Sequence, residues 1–244
     1  MTNTADTPVV SVRRLLVVTV TKGYHHESIA VAEPLLADLA ERTGEFTVDY
    51  ARTDEDLARK MSSAGLQAYE GVLFANTSGD LPIPDPQAFV DWVRAGHSYV
   101  GVHAAADTYH HFPPYLEMLG AEFLWHGAQV GVTVHNIDPG FPGLEDFGPN
   151  LEIPLEEMYV FQKFQGDQVH LLLYLDQHPN DQTPGLYPLA WSRQFGEGRV
   201  FYTAFGHRDD IMTAPWFVDH LLGGIRWALG LAAGSATPRP LPEI

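Results

Sequence analysis

The chain contains no cysteine in its 244 residues. That absence excludes disulfides, thiolate metal ligands and a Cys nucleophile, so any chemistry falls to histidine, to carboxylates or to a bound group. Positive charge is also scarce: 14 Lys plus Arg stand against 31 Asp plus Glu, a formal net charge of −17. Such a balance argues against nucleic acid or an anionic membrane surface as partner and leaves a neutral or cationic small molecule easier to accommodate. No apolar run reaches the roughly 18 to 20 residues needed to cross a bilayer. Met1 to Val12 has neither the basic nor the apolar segment of a secretion signal. The expectation is therefore a soluble, cytoplasmic protein without membrane partner. No glycine-rich phosphate loop or dinucleotide fingerprint follows the first strand, so no nucleotide cofactor is expected. Histidine, by contrast, is plentiful, with 12 residues, and the argument turns on where they fall.

Residues 1–12 and 232–244 are short of large side chains and read as loose tails around a single domain over 13–231. Leu15 to Val20 is the kind of short apolar run that forms a strand buried on both faces. Glu27 to Thr43 follows with apolar residues at helical spacing, Gly44 as its stop, and Pro34 as the site of a kink or late start. Phe46 to Tyr50 and Gly71 to Ala75 read as strands, with a short helix over Asp54 to Met61 between them. Asp85 before Pro86 opens a helix that ends at Gly96, and Tyr99 to Val102 is the next strand. Strands alternating with helices imply βαβ crossovers, hence a doubly wound α/β fold with a mostly parallel sheet. After Gly120 the strand candidates crowd together: Gln129 to His135, Glu157 to Gln162, Val169 to Tyr174, Leu186 to Phe195 and Arg199 to Thr203. These predict an antiparallel extension of the sheet, with a hairpin turn over Phe195 to Arg199 and a closing helix over Pro215 to Leu229.

In an open parallel sheet, ligands sit beyond the carboxyl ends of the strands. The segments there are Thr21 to Ser28, Asn76 to Asp80, His103 to His111 and Ala204 to Asp210, all combining His or Asp with small residues. If the parallel strands share one edge, His26, Asp80, His103, Asp107 and His207 converge. His103 ends a buried strand with Gly101 before it and Ala105 after it, the small-residue spacing that a tight strand-to-helix elbow needs. His25, His110, His111, His170 and His178 lie beside polar or proline residues and read as solvated or loop-packing.

Four blocks carry a resemblance: Thr21-Lys22-Gly23-Tyr24-His25-His26-Glu27-Ser28-Ile29, Asn76-Thr77-Ser78-Gly79-Asp80, Gly101-Val102-His103-Ala104-Ala105-Ala106-Asp107-Thr108 and Gly198 to His207. Together with Gly223 to Gly230 they resemble the signature segments of the ThuA-like (trehalose utilisation) family, in the family's order, over about residues 14 to 230. The resemblance implies a fold similar to class I glutamine amidotransferases, related in plan to flavodoxin, with His103 at the position of the catalytic Cys and His207 near that of the catalytic His. Amidotransfer through a thioester is thereby excluded. The resemblance also implies sugar metabolism, particularly disaccharides or their keto forms.

Two readings stay open. In the first, the protein is an isomerase, lyase or hydrolase acting on a keto-sugar, with His103, His207 and Asp107 in catalytic roles. Tyr24, His26, Asn76, Asp80, Tyr109 and Trp125 would bind the carbohydrate, with Phe123 as a further aromatic face. His26, His103, His126, His207 and Glu157 would offer ligands to one divalent ion such as Zn²⁺ or Mn²⁺; without a metal, His and Asp could move a proton beside a keto group. In the second, the domain only holds a sugar or a partner. A homo-oligomer is compatible with either.

Overall fold

The computed structural model describes residues 12–244, so the expected N-terminal tail, Val12 apart, lies outside the described residues. In chain order the elements are β1 (Arg13–Val18), α1 (Ile29–Thr43), β2 (Phe46–Ala51), α2 (Asp54–Lys60), β3 (Gly71–Ala75), α3 (Pro86–Arg94), β4 (Ser98–Val102) and α4 (Pro113–Leu119). Then come β5 (Glu122–His126), β6 (Val130–Asn136), β7 (Asn150–Glu156), β8 (Tyr159–Gln162), β9 (His170–Gln177), β10 (Pro184–Phe195), β11 (Gly198–Thr203), α5 (Asp209–Met212) and α6 (Pro215–Ala228). Short 3-10 turns cover Gly65–Ala68 and His103–Asp107.

Nine strands form one sheet in the order β2-β1-β3-β4-β11-β10-β9-β6-β7, and β5 pairs separately with β8. The first five are mutually parallel, and β10, β9, β6 and β7 continue the sheet antiparallel. The expected doubly wound α/β plan with an antiparallel extension is therefore what the chain adopts. Every residue of β3 and β4 is buried, as is Leu15–Val18 of β1, which is why these strands read as unbroken apolar runs instead of alternating ones. Sequence signals also hold at the helix ends: the Asp85 carboxylate accepts from the Ala88 N–H ahead of Pro86, and Gly44 ends α1 in the left-handed region at φ 65°. Helix α1 runs through Pro34 without a break.

From β1 the chain moves to β2 on one side and then crosses to β3 on the other. The strand order thus reverses beside β1, and a crevice opens above the carboxyl ends of β1, β3 and β4, where doubly wound sheets bind ligands. Strand β11, inserted parallel to β4, brings a fourth loop to the same edge.

The C-terminal segment has no helix or strand beyond α6, but it is tied down where a loose tail was expected. The Ser235 carbonyl accepts from Ser192, the Thr237 carbonyl accepts from His170 Nδ1, and Arg239 donates to the Ile137 carbonyl. Three acceptors and donors of the antiparallel half are satisfied in this way.

Candidate metal-binding site and ligand cavity

His26 is delivered by the loop after β1, His103 by the residue directly after β4, His207 by the loop after β11, and Glu157 by the link between β7 and β8. One ligand atom from each of these four residues lies within 4.8 Å of all the others. His103 has φ +46°, a left-handed backbone uncommon for a non-glycine residue and in keeping with a sharp elbow. The elbow is packed tightly beneath it: a Cβ on Gly101 would meet the Tyr202 ring at 3.0 Å and the Tyr99 ring at 3.2 Å. The small residue before His103 thus reflects close packing, as the sequence pattern predicts.

The site is built so that imidazole nitrogens face inward bare. His103 Nδ1 donates to the Ala204 carbonyl at 2.7 Å, which fixes the proton on that nitrogen and leaves Nε2 as a lone pair 3.5 Å from Glu157 Oε1. His103 Nε2, His26 Nδ1 and His207 Nδ1 are all buried without a hydrogen-bond partner. His207 Nδ1 lies 3.3 Å from Glu157 Oε1 without hydrogen-bond alignment. Burial lowers the His26 pKa to about 3, helped by the neighbouring His103 and His207. It likewise lowers His103 to about 3 and, with His103 beside it, His207 to about 4. The unpartnered nitrogens of three neutral imidazoles therefore gather about the Glu157 side chain, that of His103 as a bare lone pair. Buried polar atoms left unpaired in this way are costly unless a cation satisfies them. Imidazole and carboxylate together suit Zn²⁺ or Mn²⁺, so the residues fit a divalent ion.

Hydrogen-bonded clips hold the segments that carry His26, Glu157 and His207 together. Buried Glu156 accepts from the Glu157 N–H at 2.7 Å and from the Gly206 N–H at 3.4 Å, joining the segments that carry Glu157 and His207. Burial raises the Glu156 pKa to about 8, so this carboxyl stays largely protonated near neutral pH. Asn76 donates to Ser28 Oγ at 2.7 Å and to the Gly206 carbonyl at 2.9 Å, joining the His26 loop to the His207 loop.

Above the donors is a cavity of about 330 Å³ lined by Tyr24, Asp107, Phe123, His126, Gln129 and Tyr159 together with His26, Glu157 and His207. It shares Tyr24, His26, Gln129 and His207 as walls with a second cavity of about 370 Å³ that adds Glu27, Arg208, Asp209 and Asp210. Tyr159 lies over His103 at 4.1 Å and against Phe123 at 4.2 Å between ring centres. A larger cavity, about 630 Å³, is lined by residues such as Pro142, Phe147 and Trp216 but by none of the donor histidines. Size alone does not select a reaction site; converging unpaired donors do.

Of the residues singled out in the sequence, His26, His103, His207 and Glu157 come together. His126 Nδ1 reaches Glu157 Oε2 at 3.1 Å but stands outside the four-donor cluster, its side chain 44% exposed. Tyr24 and Asp107 line the cavity. Four expected substrate contacts lie elsewhere. Asp80 is exposed and lines neither cavity beside the donors. Tyr109 is buried and its hydroxyl donates to the Leu81 carbonyl. Trp125 is exposed beside His178, 5.5 Å between ring centres. Asn76 spends its amide on the clip just described. Gln129, Arg208, Glu156 and Tyr159 carried no sequence signal as site residues.

The sequence model of ThuA, described as trehalose utilisation, matches residues 14–228. The chain belongs to the ThuA family. Among solved structures it is similar to a putative ThuA-like protein from Parabacteroides merdae, at 19% identity and TM-score 0.73, covering 95% of this chain and 94% of that one. Another putative ThuA-like protein, from Bacteroides uniformis, shares 20% identity at TM-score 0.68, covering 89% and 91%. A cytoplasmic protein from Salmonella typhimurium shares 15% identity at TM-score 0.59, covering 89% and 99%. At these identities the likeness to ThuA-like structures is one of fold. No curated protein matches the chain. Among the described residues no helix is long and apolar enough to cross a membrane.

Proposed function

We propose that this ThuA-family protein is a divalent-metal enzyme acting on a keto-sugar, with His26, His103, His207 and Glu157 holding the ion. The observation that carries the reading is the set of three buried, partnerless imidazole nitrogens facing one carboxylate. Zn²⁺ or Mn²⁺ there would polarise a sugar carbonyl or activate a water. The chain's own residues supply the rest. Tyr24, Phe123 and Tyr159 offer apolar faces to a pyranose ring, and Gln129, Arg208 and Asp107 offer donors and acceptors to its hydroxyls. Tyr159 also roofs His103 and keeps water from its side of the cluster. Isomerisation, elimination or hydrolysis next to the keto group is the reaction class these groups support; amidotransfer is excluded by the lack of cysteine.

The test is metal content by elemental analysis, then turnover of keto-disaccharides with and without chelator. Stoichiometric Zn²⁺ or Mn²⁺ and chelator-sensitive turnover are expected. A protein that takes up neither metal, or that binds keto-disaccharides without converting them in the metal-loaded form, overturns the reading in favour of a binding module.

A further inference from the structure

Beside the donor cluster runs a line of charged side chains, of which the reading above uses Asp107 alone, as a hydroxyl contact. Asp107 ends the 3-10 turn that His103 begins, and it lines the cavity wall. Its Oδ1 lies 2.7 Å from His110 Nε2. The other nitrogen of the same ring, Nδ1, lies 3.0 Å from Oε1 of Glu122 at the start of β5. The second oxygen of Glu122 pairs with Lys163 Nζ at 2.6 Å. Phe123, 6.4 Å away between ring centres, is the aromatic neighbour of the imidazole.

Both nitrogens of His110 thus face carboxylate oxygens, which when ionised can only accept. The arrangement is satisfied on both sides by the doubly protonated ring alone. Burial by itself would lower the His110 pKa, but the hydrogen bonds and charge of Asp107 and Glu122 together raise it. Burial would raise Glu122, yet Lys163 and His110 hold it below the usual carboxylate range. The His110 ring, its protonated form favoured, is therefore clamped between an anchored Glu122 and a carboxylate that borders the cavity. The sequence suggested a solvated or loop-packing histidine at His110, and neither has reason to be clamped in this way.

We propose that Asp107 is the base that exchanges the proton on the carbon beside a ligand's carbonyl, and that His110 is the positioning residue that keeps its carboxylate oriented. In that step the ligand C–H bond breaks, its electron pair stays on the ligand as an enolate, and the proton forms an O–H bond on Asp107. Exchange of that proton with solvent and its return to carbon complete the cycle without oxidant or reductant. The assignment rests on reading the cavity as a keto-sugar site, but none of Asp107, His110 and Glu122 belongs to the metal-donor set.

The experiment follows hydrogen–deuterium exchange of a keto-disaccharide in D₂O by NMR, alongside Zn²⁺ titration and ¹⁵N spectra of the histidine rings in the full-length protein. Wild type should exchange the hydrogen beside the carbonyl. D107N should lower the rate by at least about 100-fold, and H110Q by about tenfold in kcat with little change in KM, both with Zn²⁺ affinity retained. The His110 ring should stay doubly protonated at pH 7.5 in the wild type and lose that signature in D107N. Undiminished exchange in D107N, or a His110 ring that is neutral at pH 7, overturns the proposal. Wild type that binds Zn²⁺ but exchanges no hydrogen overturns it too, while leaving the metal centre standing; exchange without Zn²⁺ binding supports it and removes the metal.

Discussion

At the scale of single residues, His207 and Asn76 separate the work of the site from the work of the fold. His207 Nδ1 has no hydrogen-bond partner, so removing the ring forfeits a metal donor and little else. H207A is expected to weaken Zn²⁺ binding beyond the roughly 10–100-fold that loss of an outer-shell partner costs. The melting temperature of the metal-free protein should stay within a few degrees, which calorimetry on both forms checks. Asn76 is the opposite case. It sits at φ +53°, a conformation Asn tolerates better than most residues, and its amide bonds both Ser28 and the Gly206 carbonyl. N76A should lower stability by about 2–3 kcal/mol in urea unfolding, since it strands a buried acceptor and strains the backbone.

Among the elements, β4 is held to its neighbours by what Gly101 lacks. Adding one methyl there presses on Tyr202 and Tyr99, both fully buried, so G101A should cost about 1–3 kcal/mol. It should also disturb the elbow at His103, which Zn²⁺ titration of the variant reads directly. The parallel half was legible in the sequence because its strands are buried on both faces and punctuated by Gly, Pro and Asp. Four elements were not, the single-turn α5 among them. Strand β7 contains Pro154, which argues against a strand, but it lies at the sheet edge, where a missing N–H is tolerated. Strand β5 pairs only with β8, so Leu124 to His126 are exposed and show no inward pattern. Helix α4 is seven residues opened by two prolines, too short for a periodic signal. In the site, the histidines that end strands were legible from strand order alone. Gln129 and Tyr159 were not, because they reach the cavity from the antiparallel half, whose register no local pattern specifies; Arg208 sits in the loop after β11, which stood out for its His and Asp residues alone.

For the molecule as a whole, the buried ionisable groups set how stability depends on pH. Burial holds His26, His103 and His220 near pKa 3 and His207 near 4. Each is neutral when folded but takes a proton below about 6.5 when unfolded, so acid favours the unfolded chain. Each such group removes at most about 1.4 kcal/mol per pH unit between 6.5 and its folded value. Glu156, raised to about 8, and His110, raised by its carboxylates, act the other way: the folded state holds their protons above the unfolded pKa, so stability is lost as pH rises. The metal-free protein should therefore be most stable around pH 6 to 7, with the steeper fall on the acid side, in thermal unfolding scanned from pH 4 to 9. A monotonic rise in stability toward pH 4 would contradict the burial of these histidines. The four donors also divide along the chain, with His26 and His103 before residue 110 and Glu157 and His207 after 150. A single cut in the intervening stretch would leave two fragments with two donors each, and neither would possess the site. Bound zinc in this fold would thus be a property of the joined halves, which makes it a chemical reporter for reassembly of a split chain.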